Sequence, residues 1–156
     1  MVVGRCSFNT YNGSFLKSYF VHKNNMKIYF DIDGVLVGRG RQPANHVTEF
    51  LKIATERHDC YWATTHCKGD DTDDVLGYIR EILPIEAAAY CEKIKLTNWS
   101  HKKVEIFDWS SDFLWFEDKP SDYEKGVLLE HGKLDSLVVV DLITNPDYLK
   151  QLISRL

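Results

Sequence analysis

The sequence contains no long hydrophobic run. No stretch of its 156 residues approaches the roughly 18 consecutive apolar residues that a membrane-spanning helix needs, so we expect no membrane partner. Residues 1–25 carry Arg5, Lys17 and Lys23 but no sustained apolar segment, which argues against a secretory signal. Four cysteines are too few and too scattered for a disulfide framework, and they are typical of reduced thiols in a cytoplasmic protein.

The sequence also lacks an excess of positive charge. It has 19 Lys and Arg against 23 Asp and Glu, a net charge of −4 and a pI near 5.8, which argues against broad electrostatic wrapping of nucleic acid. A local basic patch stays compatible with this balance. Hydrophobic residues make up 44% and charged residues 27% of the chain, both close to globular averages. Composition therefore predicts a soluble cytoplasmic domain, whose chemistry has to come from its motifs.

Two regions of the chain differ in composition. Residues 1–25 are rich in Asn, Ser, Gly and Tyr and show no period of 2 or 3.6 residues, so we interpret them as an N-terminal extension that is a candidate for disorder. An upstream start is the alternative, since Met26 directly precedes the first convincing strand. Residues 26–156 show neither an internal repeat nor a linker, and we expect them to form one domain.

Strand and helix patterns alternate along residues 26–156. Apolar residues at helical spacing predict a helix opened by Pro43, a second after the acidic cluster at 70–74, and a third that closes the chain. Alternating βα units of this length predict an α/β fold with a parallel sheet and helices on both faces. Short apolar runs predict its five strands, at Lys27–Ile32, Cys60–Thr64, Ile85–Tyr90, Phe113–Phe116 and Leu137–Val140.

Polar side chains follow three of the predicted strands at the point where each strand ends. Because ligands bind outside the carboxyl ends of the strands in an open α/β sheet, we expect these side chains to converge on one site. They are Asp31 and Asp33 after the first strand, Thr64 and Thr65 after the second, and Glu117 and Asp118 after the fourth.

The segment from Asp31 to Gly34 places two carboxylates, Asp31 and Asp33, at a strand end beside a glycine that allows a sharp turn. Such a pair can hold Mg²⁺ through hard oxygen ligands. It can also divide the work of phosphoryl transfer, with one carboxylate attacking phosphorus and the other moving protons. A calcium-binding EF-hand is excluded, because Val35 occupies the next ligand position and no acid follows at the end of the loop.

These residues resemble the motifs of the haloacid dehalogenase (HAD) superfamily of aspartyl-nucleophile phosphohydrolases. IYFDIDGVL at Ile28–Leu36 is similar to motif I, YWATT to motif II, and WFEDKPSD to motif IV. The resemblance covers residues 26 to 141, which makes the domain at 26–156 a HAD-like catalytic domain. It implies a three-layer α/β/α, Rossmann-like fold with a central parallel sheet.

The resemblance implies a role for each residue at the strand ends. Asp31 would be the nucleophile that forms an aspartyl-phosphate, and Asp33 the general acid/base. The Thr64 hydroxyl would donate to a phosphoryl oxygen, with Thr65 as the alternative or as a further substrate-binding residue.

The resemblance also implies a lysine and a metal. Motif III is a lysine that precedes the fourth strand and offsets negative charge. Mg²⁺ would be held by carboxylates and by the backbone carbonyl of Asp33. The preferred lysine is Lys103, with Lys102, Lys95 and Lys93 as alternatives; the expected metal ligands are Asp31, Asp33, Asp118 and Glu117, and motif IV also supplies Asp122.

Only one predicted helix separates Asp31 from Thr64, which leaves no room for a helical cap domain. The resemblance therefore implies a capless or minimally capped member with an open site. Such members act on large substrates such as protein or nucleic-acid ends, on small phosphates, or with a partner subunit as the lid. Arg39 and Arg41 lie in a glycine-bounded loop and are predicted to contact a substrate phosphate, with a solvated basic loop as the alternative.

Within the superfamily, the sequence is most similar to the HAD domains of Swiss Army Knife RNA-repair proteins. We expect a Mg²⁺-dependent phosphatase whose substrate is a phosphomonoester: a nucleotide, a nucleic-acid end or a small metabolite. The alternatives are a HAD-fold binding or scaffold protein without turnover, and a nucleic-acid end-binding repair module. A zinc site is a weaker hypothesis, because the candidate ligands His58, Cys60, His66 and Cys67 lack zinc-finger spacing, and His66 is interpreted as a pocket-wall residue.

Overall fold

The computed structural model describes residues 26–67 and 72–156 of the chain. The predicted extension at residues 1–25 and the first two residues of the acidic cluster at 70–74 lie outside these ranges. Four parallel strands form the central sheet, in the order β4-β1-β5-β6. Their bounds are β1 Lys27–Phe30, β4 Asp59–Trp62, β5 Phe113–Glu117 and β6 Leu137–Val139, and a two-stranded antiparallel ladder consists of β2 Val37–Gly38 and β3 Gln42–Pro43.

The register of the sheet aligns the carboxyl ends of its strands. Phe30, the last residue of β1, pairs with Trp62 on one side and with Phe116 on the other. Phe116 pairs in turn with Val138 of β6. All four strands therefore point the same way and end at one edge, and the mixed α/β class predicted from the alternating pattern is confirmed.

Apolar side chains are packed against both faces of the sheet, because successive residues of a strand point to opposite sides. On one face, Phe30 stacks on Phe116 with ring centroids 5.5 Å apart, and Phe50 packs edge-on against both rings. On the other face, Tyr29 and Trp115 pack around Phe107. The helices that supply this packing are α1 Val47–Arg57, α2 Thr72–Ile82, α3 Ile85–Cys91 and α5 Tyr148–Leu152 on the first face, and α4 Asp122–Glu130 on the second.

The predicted third strand at Ile85–Tyr90 is wrong, since these residues begin α3. Burial recurs at helical spacing, with Ala87, Ala88 and Cys91 buried and Ile85 exposed. Three consecutive alanines favour a helix, because alanine has the highest helix propensity. A single residue takes the predicted strand's place beside β4: Lys95 forms a parallel bridge with Tyr61.

Other boundaries also differ from those predicted. Pro43 does not open α1 but ends the short ladder, and the helix begins at Val47. The predicted strands at Lys27–Ile32 and Cys60–Thr64 stop at Phe30 and Trp62. In both cases the polar strand-end residues belong to loops, where side chains can face a ligand. Within the described ranges, no helix is both long and apolar enough to cross a membrane.

Candidate active site

The loop after β1 fixes the position of Asp31. Its backbone N–H donates to the carbonyl of Phe116 at 3.0 Å, which continues the pairing of β1 with β5. Beyond it the chain turns sharply, since the carbonyl of Ile32 accepts the N–H groups of Val35, Leu36 and Val37. The N–H of Ile32 donates to Asp31 Oδ1 at 2.8 Å. One oxygen of this buried carboxylate is thus held by the backbone.

The other oxygen of Asp31 pairs with Lys103. The Lys103 ammonium lies 2.7 Å from Asp31 Oδ2 and 2.7 Å from Glu117 Oε2, so it bridges the two carboxylates. Only 12% of the Lys103 side chain and 12% of the Asp31 side chain are exposed. An ion pair with so little solvent is screened weakly, and its electrostatic interaction is correspondingly strong.

Burial and charge act against each other at this bridge. Burial alone would lower the pKa of Lys103, but the charges of Asp31 and Glu117 outweigh it and raise that pKa. Burial, together with the negative charge of Asp31, raises the pKa of Glu117 to about 7, although Lys103 opposes the shift. The proton of the bridge therefore stays on Lys103, which carries a fixed positive charge at neutral pH.

The segment that carries Lys103 is anchored at both ends. Lys103 begins a 3₁₀ turn, Lys103–Ile106. The backbone N–H groups of the three residues before this turn donate to the carboxylate of Glu105 within it. After the turn, Asp108 pairs with Lys27 at the start of β1, and the Asp108 N–H donates to the hydroxyl of Tyr29. The Lys27 ammonium, with help from Ser110, holds the pKa of Asp108 well below its usual range.

The structure brings Lys103, and none of the alternative lysines, to Asp31. Lys102 lies with its ammonium 5.8 Å from the ring of Tyr123. Lys95 pairs with Asp59, and Lys93 lies over the ring of Tyr90. These three side chains point to other parts of the surface, so the preference for Lys103 in the sequence agrees with its position.

Asp118 approaches the β1 loop where Gly34 leaves space for it. Gly34 has a φ of +81°, and a Cβ added there would overlap the Cβ, Cγ and Oδ2 atoms of Asp118. The glycine thus serves two purposes: it adopts a left-handed backbone conformation, and it lets the Asp118 carboxylate lie against the loop.

Three carboxylates could hold a metal ion together. Within residues 26–67 and 72–156, Asp31, Glu117 and Asp118 are the one group of at least three His, Cys, Asp or Glu ligands whose donor atoms lie within 4.8 Å of one another. Hard oxygen ligands of this kind suit Mg²⁺. Asp122, the other acid of the fourth motif, is fully exposed and lies 3.7 Å from Lys125.

The four residues of the zinc hypothesis do not form a group of metal ligands of this kind, and His58 instead contacts the backbone oxygen of Leu156 at 2.8 Å.

Asp118 is the most available of these three ligands. Both oxygens of Glu117 are engaged, one by Lys103 and the other by the N–H of Lys119 at 3.2 Å. The Asp118 carboxylate is partly exposed, and its nearest cation is Lys119 at 3.9 Å. A metal that binds here is therefore expected to rely first on Asp118, because both oxygens of Glu117 and both oxygens of Asp31 already accept a hydrogen bond.

Asp33 has different partners from Asp31. Its carboxylate accepts from the Tyr78 hydroxyl at 2.6 Å and lies 2.6 Å from His66 Nε2. His66, which we interpret from the sequence as a pocket-wall residue, contacts Asp33 but is not among the residues that line the cavity beside Asp31. Burial first, and then the contact with Asp33, raises the pKa of Tyr78, so its hydroxyl stays protonated and donates. Sequence reasoning missed Tyr78, because its position in α2 gives no sign that it faces the β1 loop.

The two predicted threonines occupy different positions. Thr64 is fully buried, and its hydroxyl oxygen accepts from the His66 N–H at 3.4 Å. Thr65 is exposed and lines the same cavity as Asp31 and Lys103. Thr65 is therefore the better placed of the two to donate to a ligand, and Thr64 holds the backbone of the loop.

Asp31, Asp33 and Asp118 line a cavity of about 690 Å³. Its lining also includes Val139 at the end of β6 and residues 140–143 after it, which sequence reasoning did not single out as site residues. Arg39 also lines the cavity, as predicted for a substrate-binding residue. Arg41 is not among its lining residues: the guanidinium pairs with Glu81 at 3.2 Å and lies over the ring of Tyr78.

Comparison of this chain with protein-family models, with curated proteins and with solved structures gives no match.

Substitution of Gly34 tests whether the loop and Asp118 depend on the missing Cβ. Gly34 and Gly40 both have left-handed φ values, +81° and +71°, but a Cβ at Gly40 would meet nothing within 4 Å. Gly40→Ala should cost only the left-handed strain, about 1–2 kcal/mol. Gly34→Ala should lose more free energy of unfolding, measured by chemical denaturation, because it also displaces Asp118. Equal losses in the two variants would contradict this account of Gly34.

Proposed function

We propose that this protein is a HAD-type, Mg²⁺-dependent phosphatase that hydrolyses a phosphomonoester through an aspartyl-phosphate on Asp31. The observation that carries the proposal is the pairing of the Asp31 carboxylate with the buried Lys103 ammonium, beside Asp118 and at the wall of an open cavity. A nucleophilic carboxylate, a fixed cation and a metal-ligating acid are the groups that this chemistry requires.

The residues can divide the reaction into two steps. In the first, an Asp31 oxygen attacks phosphorus, the bond from phosphorus to the leaving oxygen breaks, and Asp33 donates a proton to that oxygen. In the second, water attacks the aspartyl-phosphate, Asp33 takes up a proton from the water, and phosphate and free Asp31 are released. The Lys103 ammonium offsets the negative charge around the phosphoryl group, and Thr65 can donate to one of its oxygens.

Asp31 and Asp118 would hold the metal, together with the backbone carbonyl of Asp33. When bound, Mg²⁺ supplies positive charge between the nucleophile and the phosphate, which would otherwise repel each other.

The position of Lys103 argues against the scaffold alternative. Four lysines are candidates for motif III in the sequence, and the ammonium of Lys103 lies at hydrogen-bond distance from the proposed nucleophile. A cavity of about 690 Å³ exceeds the size of a phosphate group and fits an organic phosphate. Its open form agrees with a minimally capped enzyme acting on a nucleotide, a nucleic-acid end or a small metabolite. The resemblance to RNA-repair proteins remains a prediction.

The first test is hydrolysis of 4-nitrophenyl phosphate by the purified protein, with Mg²⁺ and with EDTA. We expect Mg²⁺-dependent turnover, and we expect Asp31→Asn to lower kcat by about 10⁴-fold or more, because the amide lacks the nucleophilic oxygen. Asp122→Asn, a neutralised carboxylate that is fully exposed, is the matched control and should retain activity. Turnover that survives in Asp31→Asn would contradict the mechanism.

Metal binding can be tested without turnover. Saturating Mg²⁺ should raise the melting temperature of the wild type, since a ligand at 100 times its Kd adds about 2.7 kcal/mol to the free energy of unfolding. Asp118→Asn should reduce this increase, whereas Asp122→Asn should leave it unchanged. The same increase in both variants would mean that Asp118 is not a ligand.

A third comparison separates the lysines. Lys103→Met removes the cation beside Asp31 and should lower kcat/KM by about 10²-fold or more. Lys102→Met removes an ammonium that lies near Tyr123 instead, and its kcat/KM should stay close to the wild-type value. Steady-state kinetics with 4-nitrophenyl phosphate measures both. An equal loss in the two variants would assign the effect to the fold of the turn rather than to the charge of Lys103.

A further inference from the structure

Asp33 is held by two aromatic side chains from separate parts of the chain. The Tyr78 hydroxyl donates to Asp33 Oδ1 and His66 Nε2 lies against Asp33 Oδ2, each at 2.6 Å. The two rings stack on each other, with centroids 4.1 Å apart and planes 17° from parallel. Each carboxylate oxygen of Asp33 therefore has its own partner, and the rings of the two partners pack against each other.

Both rings are connected by contacts to other parts of the fold. His66 follows β4, and its N–H donates to the hydroxyl oxygen of the fully buried Thr64. Tyr78 lies on α2 and packs against the main core cluster. The Arg41 guanidinium lies 5.2 Å from the Tyr78 ring and pairs with Glu81, one turn further along the same helix. Thus a loop, a helix and the β2–β3 ladder together support the position of Asp33.

Asp33 needs this support more than Asp31 does. About 54% of its side chain is exposed, and no lysine or arginine among the described residues pairs with it. A half-exposed carboxylate is free to rotate, and a proton donor that is misplaced by about 1 Å can lose about 10²-fold in rate. Two short contacts to separate oxygens restrict that rotation.

We propose that Tyr78 and His66 are positioning residues that orient the Asp33 carboxyl group toward the oxygen of the leaving group. The role rests on the proposed function, in which Asp33 donates the proton to that oxygen. The proposal gives α2, the first helix after β4, a role in the site: it supplies Tyr78, which fixes the orientation of Asp33.

The choice of leaving group isolates this role. The 4-nitrophenolate ion departs without a proton, whereas the alkoxide of benzyl phosphate requires one, and the two substrates are similar in size. Because kcat/KM reports the steps up to formation of the aspartyl-phosphate, it is sensitive to proton donation to the leaving group. A residue that positions Asp33 should therefore affect benzyl phosphate selectively.

We expect Tyr78→Phe to lower kcat/KM for benzyl phosphate by about tenfold or more while that for 4-nitrophenyl phosphate changes little. Asp33→Asn should show the same selectivity more strongly. His66→Gln, which keeps a nitrogen donor, should retain more benzyl phosphate activity than His66→Ala. Tyr90→Phe is the matched control, because Tyr90 also packs against the main core cluster but lies over Lys93, and it should leave both values unchanged.

The outcomes separate this role from the proposed function. Equal losses on both substrates in Tyr78→Phe, with turnover by the wild type, would overturn the positioning role and leave the phosphatase in place. An Asp33→Asn variant that shows no selectivity would also overturn it. A wild type that hydrolyses neither substrate in Mg²⁺ would remove the proposed function, and the role of Tyr78 with it.

Discussion

The site depends on one buried ion bridge, in which the Lys103 ammonium joins the carboxylates of Asp31 and Glu117. Two carboxylates so close together and so far from solvent would repel each other, and leaving a buried charge unpaired costs about 3–5 kcal/mol. The bridge lies where β1 and β5 end side by side, so the charge of Lys103 and the geometry of the sheet support each other. The pair of Lys27 and Asp108 anchors the chain just beyond the lysine turn. The same cation that allows the acids to be buried is therefore available to a phosphate.

Much of the fold could be predicted, because in a parallel sheet the order of apolar runs determines where strand ends lie. Asp31 is far in sequence from Glu117 and Asp118, but Asp31 follows β1 while Glu117 ends β5 and Asp118 follows it, and the register brings these two strand ends to one edge. The sharp turn at Gly34 could also be predicted, because this glycine directly follows the two paired acids at the end of a strand. The failure at Ile85–Tyr90 has a physical cause: a short apolar run is compatible with a strand or a helix, and only packing decides between them. Here Ala87, Ala88 and Cys91 form the buried face of α3, and α3 packs against α1.

The partners of Asp33 could not be predicted from the sequence. Tyr78 lies on α2 between apolar residues that face the core, so its spacing indicates a packing role. Its contact with Asp33 depends on how α2 is placed over the β1 loop, and that placement is a property of the whole core. For Arg41 the sequence predicts a site contact that the structure replaces with other partners. An arginine in a glycine-bounded loop favours a phosphate contact, but the placement of α2 brings Glu81 and the Tyr78 ring within its reach.

The contrast between Asp31 and Asp33 agrees with the division of labour that we propose for these two identical side chains. Asp31 is buried, is fixed by the backbone of Ile32 and faces a cation, all of which suit a carboxylate that attacks as an anion. Asp33 is half exposed, accepts from the hydroxyl of Tyr78 and lies against the imidazole of His66, and no lysine or arginine among the described residues pairs with it. An acid that must give up a proton in one step and take one up in the next needs orientation without a permanent cation beside it. Tyr78 and His66 supply that orientation, which is why the residues around the second aspartate matter as much to the proposed reaction as those around the first.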